Sequence, residues 1–135
     1  MPRKMFVNLP VKDLKKSIDF FQKLGFSFNP QFSDDTGACL VFGEDNYAML
    51  LTEAKFKTFT PLPVADAAKA TEVLVCLSAE SRAEVDAIFN QAIAAGGTSF
   101  RPADDHGWMY CRSFKDLDGH IWEFAWMDAS AIQKS

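Results

Sequence analysis

Apolar and polar residues alternate with a period of two over residues 5–11. Val7, Leu9 and Val11 fall on one face and Phe6 and Asn8 on the other, which predicts a short strand with Pro10 near its end. Asp13 then stands where a helix N-cap belongs, Leu14, Ile18, Phe21 and Leu24 recur at helical spacing, and Gly25 stops the run. Three strand-like stretches come next, at 26–32, 37–42 and 47–51. They are joined through Ser33-Asp34-Asp35-Thr36 and Gly43-Glu44-Asp45-Asn46, both rich in turn formers. Residues 55–70 mix Phe56, Phe59, prolines and alanines, and predict a connecting loop with room for a short helix. The order then begins again. A strand is expected over 72–77 and a helix over 82–95 with Val85, Ile88, Phe89 and Ala92 as its stripe, closed by Gly96-Gly97. Strands are expected after it at 98–101, 108–114 and 120–126.

The halves share punctuation rather than letters, Gly25 and Gly96 each closing a helix at matching points. Half of this chain has too little core to stand alone, so two sheets paired edge to edge are the expected solution. The expected class is α+β: two βαβββ modules forming a curved mixed sheet, helices on the outer face and a cup-shaped cavity on the other. Within one 135-residue domain, module one takes 1–52, a linker 53–70, module two 71–128 and a tail 129–135. Sites in such a cup are concave and mainly apolar, with a few polar groups.

Composition narrows the partners. A hydrophobic content of 48% supplies a core, and a net charge of −4 leaves no clustered basic surface for nucleic acid; Lys12, Lys15 and Lys16 read as the solvated face of the first helix. Cys39, Cys76 and Cys111 are odd in number and widely spaced. They predict reduced thiols in a cytoplasm, acting as small core residues. The N-terminal apolar run, broken at Asn8 and Pro10, is too short for a signal peptide or a membrane span, so no membrane partner is expected.

The most informative chemistry lies in Asp116-Leu117-Asp118-Gly119-His120-Ile121-Trp122-Glu123-Phe124. Asp118-Gly119 makes a turn, and the strand after it loads Trp122, Phe124 and Trp126 onto one face while Glu123 stands with Ile121 and Ala125 on the other. A carboxylate among apolar residues needs a partner, a metal or a raised pKa, which makes Glu123 the candidate catalytic residue. By the same alternation Phe6, Asn8, Leu74 and Cys76 line the cup, with Glu72 nearer its rim. His120 is out of phase with Glu123 and belongs to the turn. His106 lies in the polar loop Asp104-Asp105-His106-Gly107, a candidate binding residue at the rim. Trp108, Tyr110 and Arg112 share one face of their strand. On the cup side they supply an aromatic wall, a hydroxyl and a cation for ligand binding; on the other they are core aromatics and a snorkelling Arg. Alternation leaves both open. No Gly-rich phosphate loop is present, so no nucleotide cofactor is expected.

These residues resemble the vicinal oxygen chelate superfamily, which includes lactoylglutathione lyase (glyoxalase), bleomycin resistance proteins, fosfomycin resistance enzymes and extradiol dioxygenases. Asn8-Leu9-Pro10-Val11-Lys12-Asp13-Leu14, with Ser17, Phe20-Phe21 and Leu24-Gly25-Phe26, is similar to the start of its first module. Asp116 to His120 with Glu123 is similar to the end of its second, and Val85-Asp86 with Ala95-Gly96-Gly97 to the helix between. The last strand, Trp122 to Asp128, most resembles the glyoxalase-like subgroup. The resemblance implies the paired-module fold, a homodimer, a small-molecule ligand and, in the family's enzymes, a divalent metal held on the first and last strands of each module. Carried over, the metal positions fall at Phe6, at Met49 or Leu50, at Glu72 and at Glu123, of which only Glu72 and Glu123 are ordinary ligands. Two functions therefore stand side by side. One is a cup that binds a small aromatic or cationic molecule without chemistry. The other is a metal-dependent lyase, transferase or dioxygenase acting on vicinal oxygens through Glu123, Glu72 and His106.

Overall fold

The computed structural model describes residues 3–132. The chain divides into two compact units, Met1–Asp66 and Ala67–Ser135. Unit 1 runs β1 (Met5–Val11), α1 (Leu14–Lys23), β2 (Ser27–Asp34), β3 (Gly37–Val41), β4 (Asn46–Thr52) and α2 (Glu53–Lys57). Unit 2 runs β5 (Leu74–Ser78), α3 (Arg82–Ala94), β6 (Thr98–Asp105), β7 (Met109–Lys115), β8 (Ile121–Met127) and α4 (Ala129–Ile132). Each unit is thus a βαβββ module with its own four-stranded mixed sheet, ordered β1-β4-β3-β2 in one and β5-β8-β7-β6 in the other. In both sheets the first and last strands pair in parallel and the remaining pairs are antiparallel.

In unit 1, Asp13 caps α1 by accepting from the Lys16 N–H at 3.1 Å, and Gly25 succeeds the helix at φ +97°. Leu14, Ser17, Phe20 and Phe21 of α1 are buried, as are Leu9 and Val11 of β1 and Ala48 and Leu50 of β4. The alternate residues Phe6, Asn8 and Met49 lie on the opposite face. In unit 2, Ser81 caps α3 through the Glu84 N–H, while the Glu84 carboxylate reaches back to the Glu80 N–H at 2.9 Å. Val85, Phe89 and Ala92 of α3 are buried, with Trp122, Phe124 and Phe114 beneath them on the sheet. The short helix after β4 starts at Glu53, ahead of the stretch expected to hold it, because Thr52 caps it by accepting from the Lys55 N–H. No helix among the described residues is long and apolar enough to cross a membrane.

The turn into β8 is organised by Asp116. Its Oδ1 accepts from the Asp118 and His120 backbone N–H groups at 2.9 and 3.0 Å, and its Oδ2 from the Trp122 indole at 2.9 Å. Burial pushes this carboxyl above the usual range, against the pull of His120 and the indole bond. Gly119 sits at φ +90°, and a Cβ there would meet the Ala68 backbone at 2.9 Å, so both conformation and space require glycine. Trp122, fully buried, is thereby fixed on the α3 side, and alternation then presents Glu123 on the face opposite α3.

Candidate functional site

Across the sheet of unit 2 the register aligns Cys76 with Glu123, Glu123 with Ser113, and Ser113 with Arg101, one residue from each strand in a single row. The row is polar and bonded. Arg101 Nη2 and Ser113 Oγ both donate to Glu123 Oε2 at 2.9 Å, so neither bond uses Oε1. The Glu123 side chain is 12% exposed and that of Arg101 41%. Arg101 Nη1 also lies 3.7 Å from Asp104, which pairs in turn with His106 Nε2 at 2.9 Å. A chain of polar contacts thus runs from Glu123 through Arg101 and Asp104 to the His106 ring.

Arg101 reaches this face because β6 is irregular. From Ser99 to Arg101 the strand takes two steps while β7 takes one, Phe114 to Ser113; from Arg101 to Asp104 it takes three against two, Ser113 to Cys111. Each extra residue reverses the faces of the residues beyond it. Without the first bulge Phe100 would oppose Ser113, and Arg101 would oppose Arg112 on the α3 side. Simple alternation therefore does not find Arg101, whereas Ser113 follows the regular register of β7 with β8 and stands opposite Glu123. Pro102 lies in the second irregularity and is tolerated there because β6 is an edge strand. The strand expected at 98–101 continues through it to Asp105.

Both thiols near the row are held toward the protonated form. Partial desolvation by neighbouring groups, with help from the Glu123 charge, raises the Cys76 pKa against the pull of Arg101. Burial first, then Glu123 and Cys76, push Cys111 up to about 11. Cys39 and Cys111 are the small core residues expected, but Cys76 is exposed, since β5 turns it away from the helix side.

The other candidate residues are dispersed. Tyr110 Oη donates to Asp86 of α3 at 2.6 Å, and Arg112 bonds the same carboxylate at 3.2 Å while lying 3.6 Å from the Phe89 ring centre. Both hold α3 against the sheet, because Asp86 lies above them. Trp108 precedes β7, is half exposed, and has its ring 6.4 Å from that of His106. Glu72 is exposed and precedes β5, four residues ahead of Cys76, the partner of Glu123; at strand rise that is about 13 Å. Phe6 stacks on Tyr47 at 4.8 Å, Asn8 opposes Met49 in the β1–β4 register, and Leu50 is buried on the α1 side. Phe6 and Met49 line a hollow of about 350 Å³ with Gln31, Phe32, Ser33 and Asp34.

These donors do not suit a divalent ion. Among the described residues no three His, Cys, Asp or Glu side chains gather into a metal-binding group. At Glu123, Oε2 already faces a guanidinium, a fixed positive charge that repels any cation brought to the same carboxylate.

Comparison with known proteins agrees with this architecture. A hypothetical protein from S. aureus is 31% identical, with 93% of this chain and 94% of that chain covered and a TM-score of 0.77. A glyoxalase-related enzyme from Fulvimarina pelagi shares the fold at 21% identity, covering 93% and 88% with a TM-score of 0.77. So does a genomically encoded fosfomycin resistance protein from Listeria monocytogenes, at 18% identity, 96% and 97% coverage and a TM-score of 0.68. A comparison with curated proteins finds no match. The family model for the Glyoxalase/Bleomycin resistance protein/Dioxygenase superfamily matches residues 5–124, and the chain belongs to that superfamily.

Proposed function

We propose that this protein binds a small organic molecule without a divalent metal, with Glu123 as the polar anchor. The observation that carries the reading is the double hold on Glu123 Oε2 by Arg101 and Ser113. Two donors on one oxygen fix the carboxylate and supply its counter-charge, while Oε1 remains able to accept an N–H or O–H from a ligand, or a proton. Arg101 stays charged, its pKa raised first by the bond to Glu123, and offers further N–H donors beside that oxygen. His106, at the far end of the Asp104 link, stands where a rim loop would meet a bound molecule. The homodimer that the resemblance implies and the cytoplasmic setting that the cysteine pattern predicts belong to the same reading.

The alternative keeps Glu123 as a ligand of a divalent ion in a lyase, transferase or dioxygenase of the glyoxalase type. It requires Arg101 to leave the carboxylate. A thermal-shift screen of small molecules, run with and without chelator and with added Mn²⁺, Ni²⁺ or Zn²⁺, separates the two. The expected result is ligand stabilisation that ignores chelator and is lost in Glu123→Gln. Stabilisation that appears only with a divalent ion would overturn the proposal.

A further inference from the structure

Asp104 and Asp105 are adjacent and chemically alike, yet they serve opposite faces of the unit 2 sheet. The register sets Asp104 against Cys111, on the face of Glu123, and Asp105 against Tyr110, on the face of α3. That division depends on the second irregularity of β6, where three steps from Arg101 to Asp104 meet two of β7. Regular pairing from Arg101 would put Ala103 opposite Cys111 and Asp104 opposite Tyr110, turning Asp104 toward α3 and Asp105 toward the row. Arg101 and His106 would then lose the carboxylate that joins them. Both registers present one aspartate to each face, so alternation and charge do not choose between them.

A clasp from α3 does choose. Arg82, the first residue of that helix, donates from Nη1 to Asp105 Oδ2 at 2.9 Å and from Nη2 to Asp105 Oδ1 at 2.8 Å. Its Nη2 also donates to the Gly107 carbonyl at 3.0 Å, and the Gly107 N–H returns to Asp105 Oδ1 at 2.9 Å. The guanidinium therefore recognises a carboxylate two residues ahead of Gly107, whose φ of +81° turns the chain back. Asp105 has that spacing and Asp104 does not. Arg82 is itself anchored, its guanidinium carbon lying 5.0 Å from the Tyr110 ring centre and 5.2 Å from that of Trp126. The Arg82 and Asp105 side chains are 40% and 50% exposed, a setting in which an ion pair adds little stability. A two-pronged pair with a third bond to the backbone is better suited to fixing a register.

We infer that Arg82 is a positioning residue for Glu123: by clasping Asp105 it holds β6 in the register that keeps Asp104 on Arg101 and His106, and so keeps Arg101 on Glu123. Positioning has its functional meaning through the anchor role proposed for Glu123. The test uses no ligand and no metal, so a failure here leaves that role standing, and loss of that role leaves the register result unchanged.

The test is NMR of the free full chain. Two signals are followed: hydrogen exchange of the His106 amide, which donates to Met109 O at 2.9 Å across the hairpin, and rotation of the Arg101 guanidinium, which its carboxylate partners slow. Arg82→Met should speed both about two- to fivefold, the loss expected for one exposed ion pair. Asp105→Asn keeps an acceptor for the Gly107 N–H and should speed both in the same way from the other end of the clasp. Arg112→Met, which loosens the sheet's hold on α3 at Asp86 without touching the hairpin, should leave the Arg101 rotation unchanged. That separates positioning from a general loosening of α3. Arg101 rotation that is unchanged in both Arg82→Met and Asp105→Asn would overturn the inference, whatever the His106 amide does. So would rotation that speeds up as much in Arg112→Met as in Arg82→Met.

Discussion

Replacing Arg101 with methionine keeps most of the aliphatic stem and removes the charge that faces Glu123. Two unit charges about 4 Å apart attract by about 4 kcal/mol at an effective dielectric of 20. Arg101 is more than one-third exposed, so solvent screens a large part of this, and a coupling of about 1–2 kcal/mol is the figure to expect. Arg101→Met alone should cost more, about 2–3 kcal/mol, because it leaves a carboxylate that is 12% exposed with the Ser113 hydroxyl as its remaining donor in that row. Glu123→Gln should cost about 1 kcal/mol, since an amide oxygen still accepts from both donors. In the double variant the stranded charge is absent, and its loss should fall short of the sum by the coupling. Urea unfolding monitored by circular dichroism at neutral pH measures all four corners of the cycle. Repeating it in 1 M salt, where the screening length is about 3 Å, should reduce the coupling. Single losses that add to within about 0.3 kcal/mol would show that the two side chains are independent, and the metal-free reading of Glu123 would lose its basis.

Asp116→Asn preserves the acceptor for the two backbone N–H groups but turns an NH₂ toward the buried Trp122 indole N–H, donor against donor. The expected loss is about 2 kcal/mol, or roughly 6–10 °C in Tm by calorimetry, and an unchanged Tm would refute this account of the turn. The Arg82 guanidinium, bonded in two-pronged fashion, holds the Asp105 carboxyl down at about 2. A folded pKa below the unfolded value means that this pair contributes above about pH 4 and is lost as pH falls toward 2. Carboxyl-carbon NMR should place the Asp105 midpoint near 2 and return it toward 3.8 in Arg82→Met; a wild-type midpoint near 3.8 would refute the assignment.

The elements were legible because each is written by short-range rules. Leu9 and Val11 against Phe6 and Asn8 give β1 and its faces by alternation alone. Asp13 and Gly25 bracket α1, and Trp122, Phe124 and Trp126 divide β8 from Glu123 without reference to any other strand. Asp118-Gly119 announced the turn, but Asp116, which organises it, was visible only once its three donors were in place.

The site was less legible because its members meet through registers and packing partners that alternation does not contain. The first bulge in β6 brings Arg101 to Glu123, and a bulge in β2 carries Phe32 outward beside Asp34. The side on which Tyr110 and Arg112 lie could be settled only by Asp86, from a helix more than twenty residues earlier in the chain. The order of residues was therefore enough to specify the two βαβββ modules, their family and the placement of Glu123 on the face opposite α3. Periodicity is a property of one strand or helix, and it needs no neighbours. The identity of the groups beside that carboxylate came from the folded chain, because one extra residue in an edge strand reverses every side chain beyond it while leaving the composition of the strand unchanged.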